Sequence, residues 1–162
     1  MLLRAYRSDD LPAVHAINQA AVPAVGDETV AGLEHIAGQS IIALVADDQG
    51  TIGGFCLVLA PGADYHSGNY RWFAERYADF VYLDRVALAP TCRRRGLGRA
   101  MYAEVERLAE ELRPSATHFT LEVNLRPRND PSLAFHGALG FVEVGQRETE
   151  YGALVSLMAK PL

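Results

Sequence analysis

The stretch Val86-Ala87-Leu88-Ala89-Pro90-Thr91-Cys92-Arg93-Arg94-Arg95-Gly96-Leu97-Gly98-Arg99-Ala100-Met101 decides how this chain is read. A strand-like run stops at Pro90, and a short basic loop with two glycines follows. The clearest helical pattern in the chain then runs from Gly98 to Leu112. Leu97, Met101, Val105, Leu108 and Leu112 form one apolar stripe, and Glu104, Arg107, Glu110 and Glu111 lie outside it. Pro114 ends it. The first turn of a helix leaves backbone amides unpaired, and its dipole is positive there. Glycines let a ligand approach the backbone and arginines add charge, so the segment has the make-up of a pyrophosphate site. It is not a Walker A loop, because no Gly-Lys-Ser/Thr follows. It is also a poor dinucleotide fingerprint, because Gly96-x-Gly98-x-x-Met101 lacks the third small residue. The plainer alternative is a solvated basic loop, which is what most charge runs are.

Working outward, Leu2 to Tyr6 has the pattern of a first strand. Ser8 is the expected cap of a helix carrying Leu11, Val14, Ile17, Asn18 and Ala21, which Val22-Pro23 stops. Asp27 is the expected cap of a second helix with Val30, Leu33 and Ile36. Ser40–Ala46 and Thr51–Ala60 flank the turn formers Asp47-Asp48-Gln49-Gly50, a hairpin signal. Phe80–Ala89 is the next strand, and Thr117–Asn124 follows the long helix. Asp130-Pro131 opens a short helix, with the aspartate as its expected cap, and Gly140 terminates it. Phe141–Val144 and Ala153–Met158 close the chain as strands. The order β-α-α-β-β-β-α-β-α-β-β predicts one α/β domain over residues 1–162, with a mixed central sheet and helices on both faces.

Composition agrees with this. The 162 residues are 49% hydrophobic and 22% charged, close to a globular average. A net charge of −5 does not suit a surface that must blanket nucleic acid. Cys56 and Cys92 have no metal spacing and build no disulfide framework, and no second histidine stands at metal spacing, so no metal is expected. No signal peptide or membrane-length apolar run is present, and a reducing cytoplasm is the expected compartment.

Arg93-x-x-Gly96-x-Gly98 resembles the Arg/Gln-x-x-Gly-x-Gly/Ala motif of the GNAT superfamily of N-acetyltransferases. The segment Asn129 to Phe141, ending in Phe135-His136 and Leu139-Gly140-Phe141, resembles the family's second motif. Both occur in the family's order, and the element order matches over almost the whole chain. The resemblance implies a GNAT-like fold and acetyl transfer from acetyl-CoA to an amine, on a small molecule or peptide, by direct transfer in a ternary complex. A non-catalytic acyl-CoA-binding domain is the alternative. It further implies that the amides of Arg94, Arg95, Gly96, Leu97, Gly98 and Arg99 cradle the pyrophosphate beside Arg93. The backbone of Val86, Ala87 and Leu88 would meet the pantetheine arm, which Asn129 or Asn124 would hold, with Ser132 and Phe135 lining the coenzyme.

Amine acetylation needs a base for the ammonium, a donor for the developing oxyanion and a proton for the leaving thiolate. Strand parity puts Tyr82, Asp84 and Val86 on one face. Asp84 in an apolar strand is either a base or half of an ion pair with Arg85 or Arg126. The Leu88 amide is the expected oxyanion donor. His136, where many relatives have tyrosine, is the expected acid, with Tyr82 as the alternative. Residues 61–79 hold Tyr65, Tyr70, Trp72, Phe73 and Tyr77 in a connection too long to be idle. Tyr65, Ser67, Asn69, Tyr70 and Trp72 are expected to form a lid over the acceptor, with Asn18 and Pro23 opposite. The alternative for the aromatics is a short helix covering the sheet edge or a homodimer interface.

Overall fold

The computed structural model describes all 162 residues. Its elements are β1 (Leu2–Ala5), α1 (Leu11–Ala21), α2 (Val30–Gln39), β2 (Ile42–Asp48), β3 (Thr51–Leu59), α3 (Gly68–Ala74), β4 (Val81–Leu88), α4 (Leu97–Leu112), β5 (His118–Arg126), α5 (Asp130–Ala138), β6 (Val142–Glu148) and β7 (Leu154–Pro161). The expected order holds, with α3 inserted between β3 and β4. That helix is the one offered above only as an alternative for the aromatic segment.

The caps differ from expectation in three places. Ser8 lies in a 3-10 turn ahead of α1, and Asp10 folds back to accept from the Arg7 amide at 2.8 Å and from both Arg4 Nη atoms. Thr29, not Asp27, caps α2 by accepting the Gly32 amide at 3.0 Å. Asn129, not Asp130, caps α5, its Oδ1 accepting the Ser132 amide at 3.2 Å. For α2 and α5 a nearby residue with a competent oxygen takes the cap, whereas α1 starts without a side-chain cap.

The seven strands run in the order β1-β2-β3-β4-β5-β7-β6, antiparallel except for β4 and β5. α4 and α5 cover one face, packing Met101, Tyr102, Val105 and Ala109 onto Ile42, Cys56, Leu83 and Leu121. α1 and α2 cover the other, with Val14, Leu33 and Ile36 against Val45, Phe55 and Leu57. α3 seals the far end of that second face with Tyr70 and Phe73 on Phe80, Tyr82, Val155 and Leu157.

Two departures from regular pairing build the functional region. β4 and β5 pair only at Val81↔Phe119 and Tyr82↔Thr120 and then part, leaving an opening toward their carboxyl ends. On its other side β4 carries a bulge. Leu83 pairs with Val58 and Arg85 with Leu57, so Asp84 is extra. The bulge resets strand parity. Val86 and Leu88 pack on the α4 side with Leu83, whereas Ala87 packs on the α1 side. The expected single face of Tyr82, Asp84 and Val86 therefore does not form.

Candidate active site at the β4–β5 opening

At the α4 end of the opening, the loop after Pro90 turns twice through left-handed backbone, at Arg94 (φ 57°) and Gly96 (φ 79°). Such a φ suits glycine, while a side chain there is strained by roughly 1–2 kcal/mol. Gly96 precedes Leu97 with no side chain capping the helix, and the first amide returned into α4 is that of Ala100, to Gly96 O at 3.1 Å. The amides of the first turn thus face outward without partners, beside the exposed side chains of Arg93, Arg94, Arg95 and Arg99. Gly98 lets Phe135 close in: a Cβ there would lie 3.3 Å from the Phe135 ring. These residues fit a diphosphate.

Along the opening, Ala89 donates to Gly53 O in β3 at 2.9 Å. By alternation the Leu88 backbone points into the gap. Arg93 Nε takes the Leu88 carbonyl at 3.1 Å, which leaves the Leu88 amide turned toward the gap. Ala87, by contrast, is committed to the core on the α1 side, so only its backbone neighbours address the opening. The two asparagines are both engaged. Asn129 caps α5, and Asn124 Nδ2 donates across the opening to Pro23 O at 3.3 Å. Pro23 thus lies at the rim, opposite β5.

The deep end holds two carboxylates in different company. Asp84, whose side chain is 3% exposed, is bound through both oxygens. Tyr65 OH donates to one, and Arg85 Nε donates to the other at 2.7 Å. Arg85 also donates to Asn18 Oδ1 at 3.1 Å, and Asn18 donates to Gly26 O at 3.1 Å. Of the two alternatives for Asp84, this is the ion pair with Arg85, and both carboxylate oxygens are engaged in it. Asn18 is fully buried in it and lines no acceptor wall.

Glu122, which the sequence reading passed over, sits across the gap on β5. Tyr82 OH donates to its Oε2 at 2.7 Å. Burial pushes the Glu122 carboxyl up to about 7; the Tyr82 phenol opposes this, and the Asp84 charge adds to the rise. That rise leaves Glu122 poised near neutrality. The signal was available: Leu121-Glu122-Val123 places a lone acid in an apolar strand, as Leu83-Asp84-Arg85 does.

His136 does not occupy the acid position expected of it. It is buried, and its Nδ1 lies 2.7 Å from Ser132 O, so Nδ1 carries the proton and Nε2 accepts from Tyr102 OH at 2.6 Å. Burial lowers its pKa, which disfavours the imidazolium that a proton donor needs. The Ser132 hydroxyl lies 3.2 Å from the same Nδ1 and serves this buried pair.

The aromatic segment divides. Tyr65 faces Asp84, and Asn69 is buried and accepts from Arg147 Nη1 at 2.8 Å. Ser67 caps α3, its Oγ accepting the Tyr70 amide at 3.4 Å. Tyr70 is buried and donates to Ala60 O at 2.7 Å, and Trp72 lies on Gly145 of β6. Tyr70 and Trp72 are thus structural, not part of a movable lid: their rings fill the sheet end that α3 covers.

With this geometry in place, the comparisons with known proteins are consistent. The family model described as Acetyltransferase (GNAT) family matches residues 11–141. Among solved structures, a ribosomal-protein-alanine N-acetyltransferase from Brucella melitensis is 25% identical over all of both chains, with a TM-score of 0.72. Ard1 from Thermoplasma volcanium is 18% identical over 99% of this chain and 97% of its own, with a TM-score of 0.80. An acetyltransferase from Salmonella typhimurium, solved with its cofactor acetyl-CoA, is 21% identical over 100% of this chain and 94% of its own, with a TM-score of 0.69. At these identities the last two speak for the fold alone. None of the curated proteins compared matches the chain.

Proposed function

The chain belongs to the GNAT acetyltransferase family, and from that premise we propose that it moves the acetyl group of acetyl-CoA to a primary amine by direct transfer in a ternary complex. One observation carries the reading: a single opening in the sheet has uncapped helix amides at one end and a carboxyl poised near pH 7 at the other. Acetyl-CoA supplies an activated acyl group whose thiolate, of ordinary pKa about 8.5, is a fair leaving group.

The roles follow from the contacts. The amides of Leu97, Gly98 and Arg99, with the surrounding arginines, bind the diphosphate and fix the thioester along β4. Glu122 accepts the proton of the incoming ammonium, and a base with a pKa near the working pH is the efficient one. The Leu88 amide donates to the carbonyl oxygen as it gains charge. The remaining excess proton of the attacking nitrogen leaves with the thiolate. Tyr82 orients Glu122, while Tyr65 and the Asp84–Arg85 pair form the opposite wall. Cys92 and Cys56 are buried and take no part, burial holding the Cys56 thiol up at about 12.

Thiol release from acetyl-CoA, measured with a panel of small amines and of peptides bearing free N-termini, tests this reading. Turnover with at least one primary amine is the expected result. Binding of coenzyme A without turnover across the panel would instead favour a non-catalytic acyl-CoA-binding domain. Calorimetry with coenzyme A checks the phosphate end. Gly96→Ala, which disfavours φ 79°, should weaken binding about tenfold.

A further inference from the structure

The connection between α1 and α2 is tied to both of the splayed strands. Against β4 the tie is Arg85. The bulge at Asp84 pairs Arg85 with Leu57, so its side chain points to the face that α1 covers. There the side chain is 6% exposed and divides its donors. Nε donates to Asp84 Oδ2 at 2.7 Å, while Nη1 donates to Asn18 Oδ1 at 3.1 Å and to Gly26 O at 3.5 Å. Asn18 Nδ2 donates to the same Gly26 carbonyl at 3.1 Å. One buried guanidinium thus joins the wall of the opening to the middle of the connection.

Against β5 the tie is Asn124, which donates to Pro23 O at 3.3 Å. Glu122 and Asn124 pair with Leu157 and Val155, so both point to the face that α3 helps to cover. Asn124 stands one two-residue step beyond Glu122 on that face. The connection therefore bridges the opening next to Glu122, anchored on β4 at Gly26 and on β5 at Pro23. Between the anchors, the amides of Ala24 and Val25 both return to Ala21 O, at 2.8 and 3.3 Å. They form one hydrogen-bonded turn, which passes a shift at Gly26 on to Pro23.

We propose that Arg85 is a positioning residue for the amine acceptor. Through Asn18 and Gly26 it fixes how closely the α1–α2 connection bridges the opening, and with it the passage by which the amine reaches Glu122. The inference rests on the acetyl-transfer reading with Glu122 as the base. Balancing Asp84 needs only a cation, but the tether needs a fork: a guanidinium serves two partners with separate nitrogens, whereas an ammonium has one. α4 lies on the other face of the sheet and shares none of these contacts, so coenzyme affinity should not depend on them.

Two measurements test this. Hydrogen exchange at the Ala24 and Val25 amides needs no acceptor. Steady-state kinetics uses the amine that the panel identifies. Asn18→Ala and Arg85→Lys should each speed that exchange about tenfold and raise the acceptor KM about tenfold, the effect of losing one or two hydrogen bonds, while coenzyme A affinity and exchange in α4 hold. The double variant should add little to either single one, because both act through one tether. Thermal melts and coenzyme A calorimetry check that each variant is folded. Wild-type exchange and acceptor KM in Arg85→Lys would reduce Arg85 to the counter-ion of Asp84 and overturn the proposal. So would faster exchange with an unmoved acceptor KM, or an acceptor KM that rises only together with a loss of coenzyme affinity. A wild type that releases no thiol with any amine overturns the acetyl-transfer reading instead, and unmoved exchange in folded Asn18→Ala still overturns the tether.

Discussion

Asp84 and Glu122 face one opening from neighbouring strands, yet their surroundings assign them opposite tasks. Asp84 has both oxygens occupied, one by Tyr65 and one by Arg85, and lies in the bulge of β4 with 3% of its side chain exposed. Its charge is matched within hydrogen-bond distance, so it organises the wall and tethers Arg85, which in turn holds Asn18 and the α1–α2 connection. Glu122 has a phenol where Asp84 has a guanidinium. A phenol donates a hydrogen bond but no positive charge, and burial then raises the carboxyl toward neutrality. A carboxyl with a matched cation is tied into the structure, whereas one with only neutral donors, in a cleft, is a candidate proton acceptor.

That contrast breaks most visibly in catalysis. With the amine that the panel identifies, Glu122→Gln should lower kcat by about 10²–10⁴ while coenzyme A affinity holds. Asp84→Asn, which keeps the shape, should lower it far less. Steady-state kinetics of both variants decides the matter, since an equal loss in the two would erase the distinction drawn here. In stability the order reverses. Asp84→Ala strands the buried Arg85 and should destabilise the fold by about 3–5 kcal/mol in urea unfolding, whereas Glu122→Gln should not destabilise it at pH 8.

The pH dependence of stability sharpens the comparison further. A carboxyl whose native pKa lies above its unfolded value holds its proton more tightly when folded. Its stabilising contribution is complete below about pH 4.5 and is lost as pH rises to about 7. The wild type should therefore lose on the order of 1–3 kcal/mol over that window from this group, and Glu122→Gln should lack that loss. His136 works in the opposite direction. Its native pKa is lowered, so it withdraws stability as pH falls through its unfolded value near 6.5. The difference between wild type and Glu122→Gln isolates the glutamate. Smallest of all is the exchange of phenols. Tyr65→Phe leaves Asp84 its guanidinium and should cost about 1 kcal/mol. Tyr82→Phe should act on the Glu122 midpoint, raising it by a fraction of a pH unit.

No helix here is long and apolar enough to cross a membrane. The two ends of the opening between the splayed strands differ in how much of them a sequence can announce. The phosphate end is local. Arg93 to Arg99 are contiguous, glycine marks the turn at Gly96, and helix amides emerge unpaired wherever a helix begins without a cap, so these features can be read along the chain. The strand and helix order was legible for the same reason: apolar periodicity and proline or glycine punctuation act over a few residues.

The acid–base end was not legible in this way, because it is assembled across the sheet. Asp84 and Glu122 gave the same signal, a single acid in an apolar strand. Arg85 stands next to the acid it neutralises, but the bulge that resets the parity of β4 depends on its pairing with β3, and the phenols on Asp84 and Glu122 come from 19 and 40 residues away. His136 looked available for proton transfer until Tyr102, 34 residues away, was found on its free nitrogen. The sequence by itself determined where a helix begins uncapped beside a run of arginines. Only the tertiary structure decided which carboxyl meets a cation and which meets neutral donors, because those neighbours are set by the pairing of the strands.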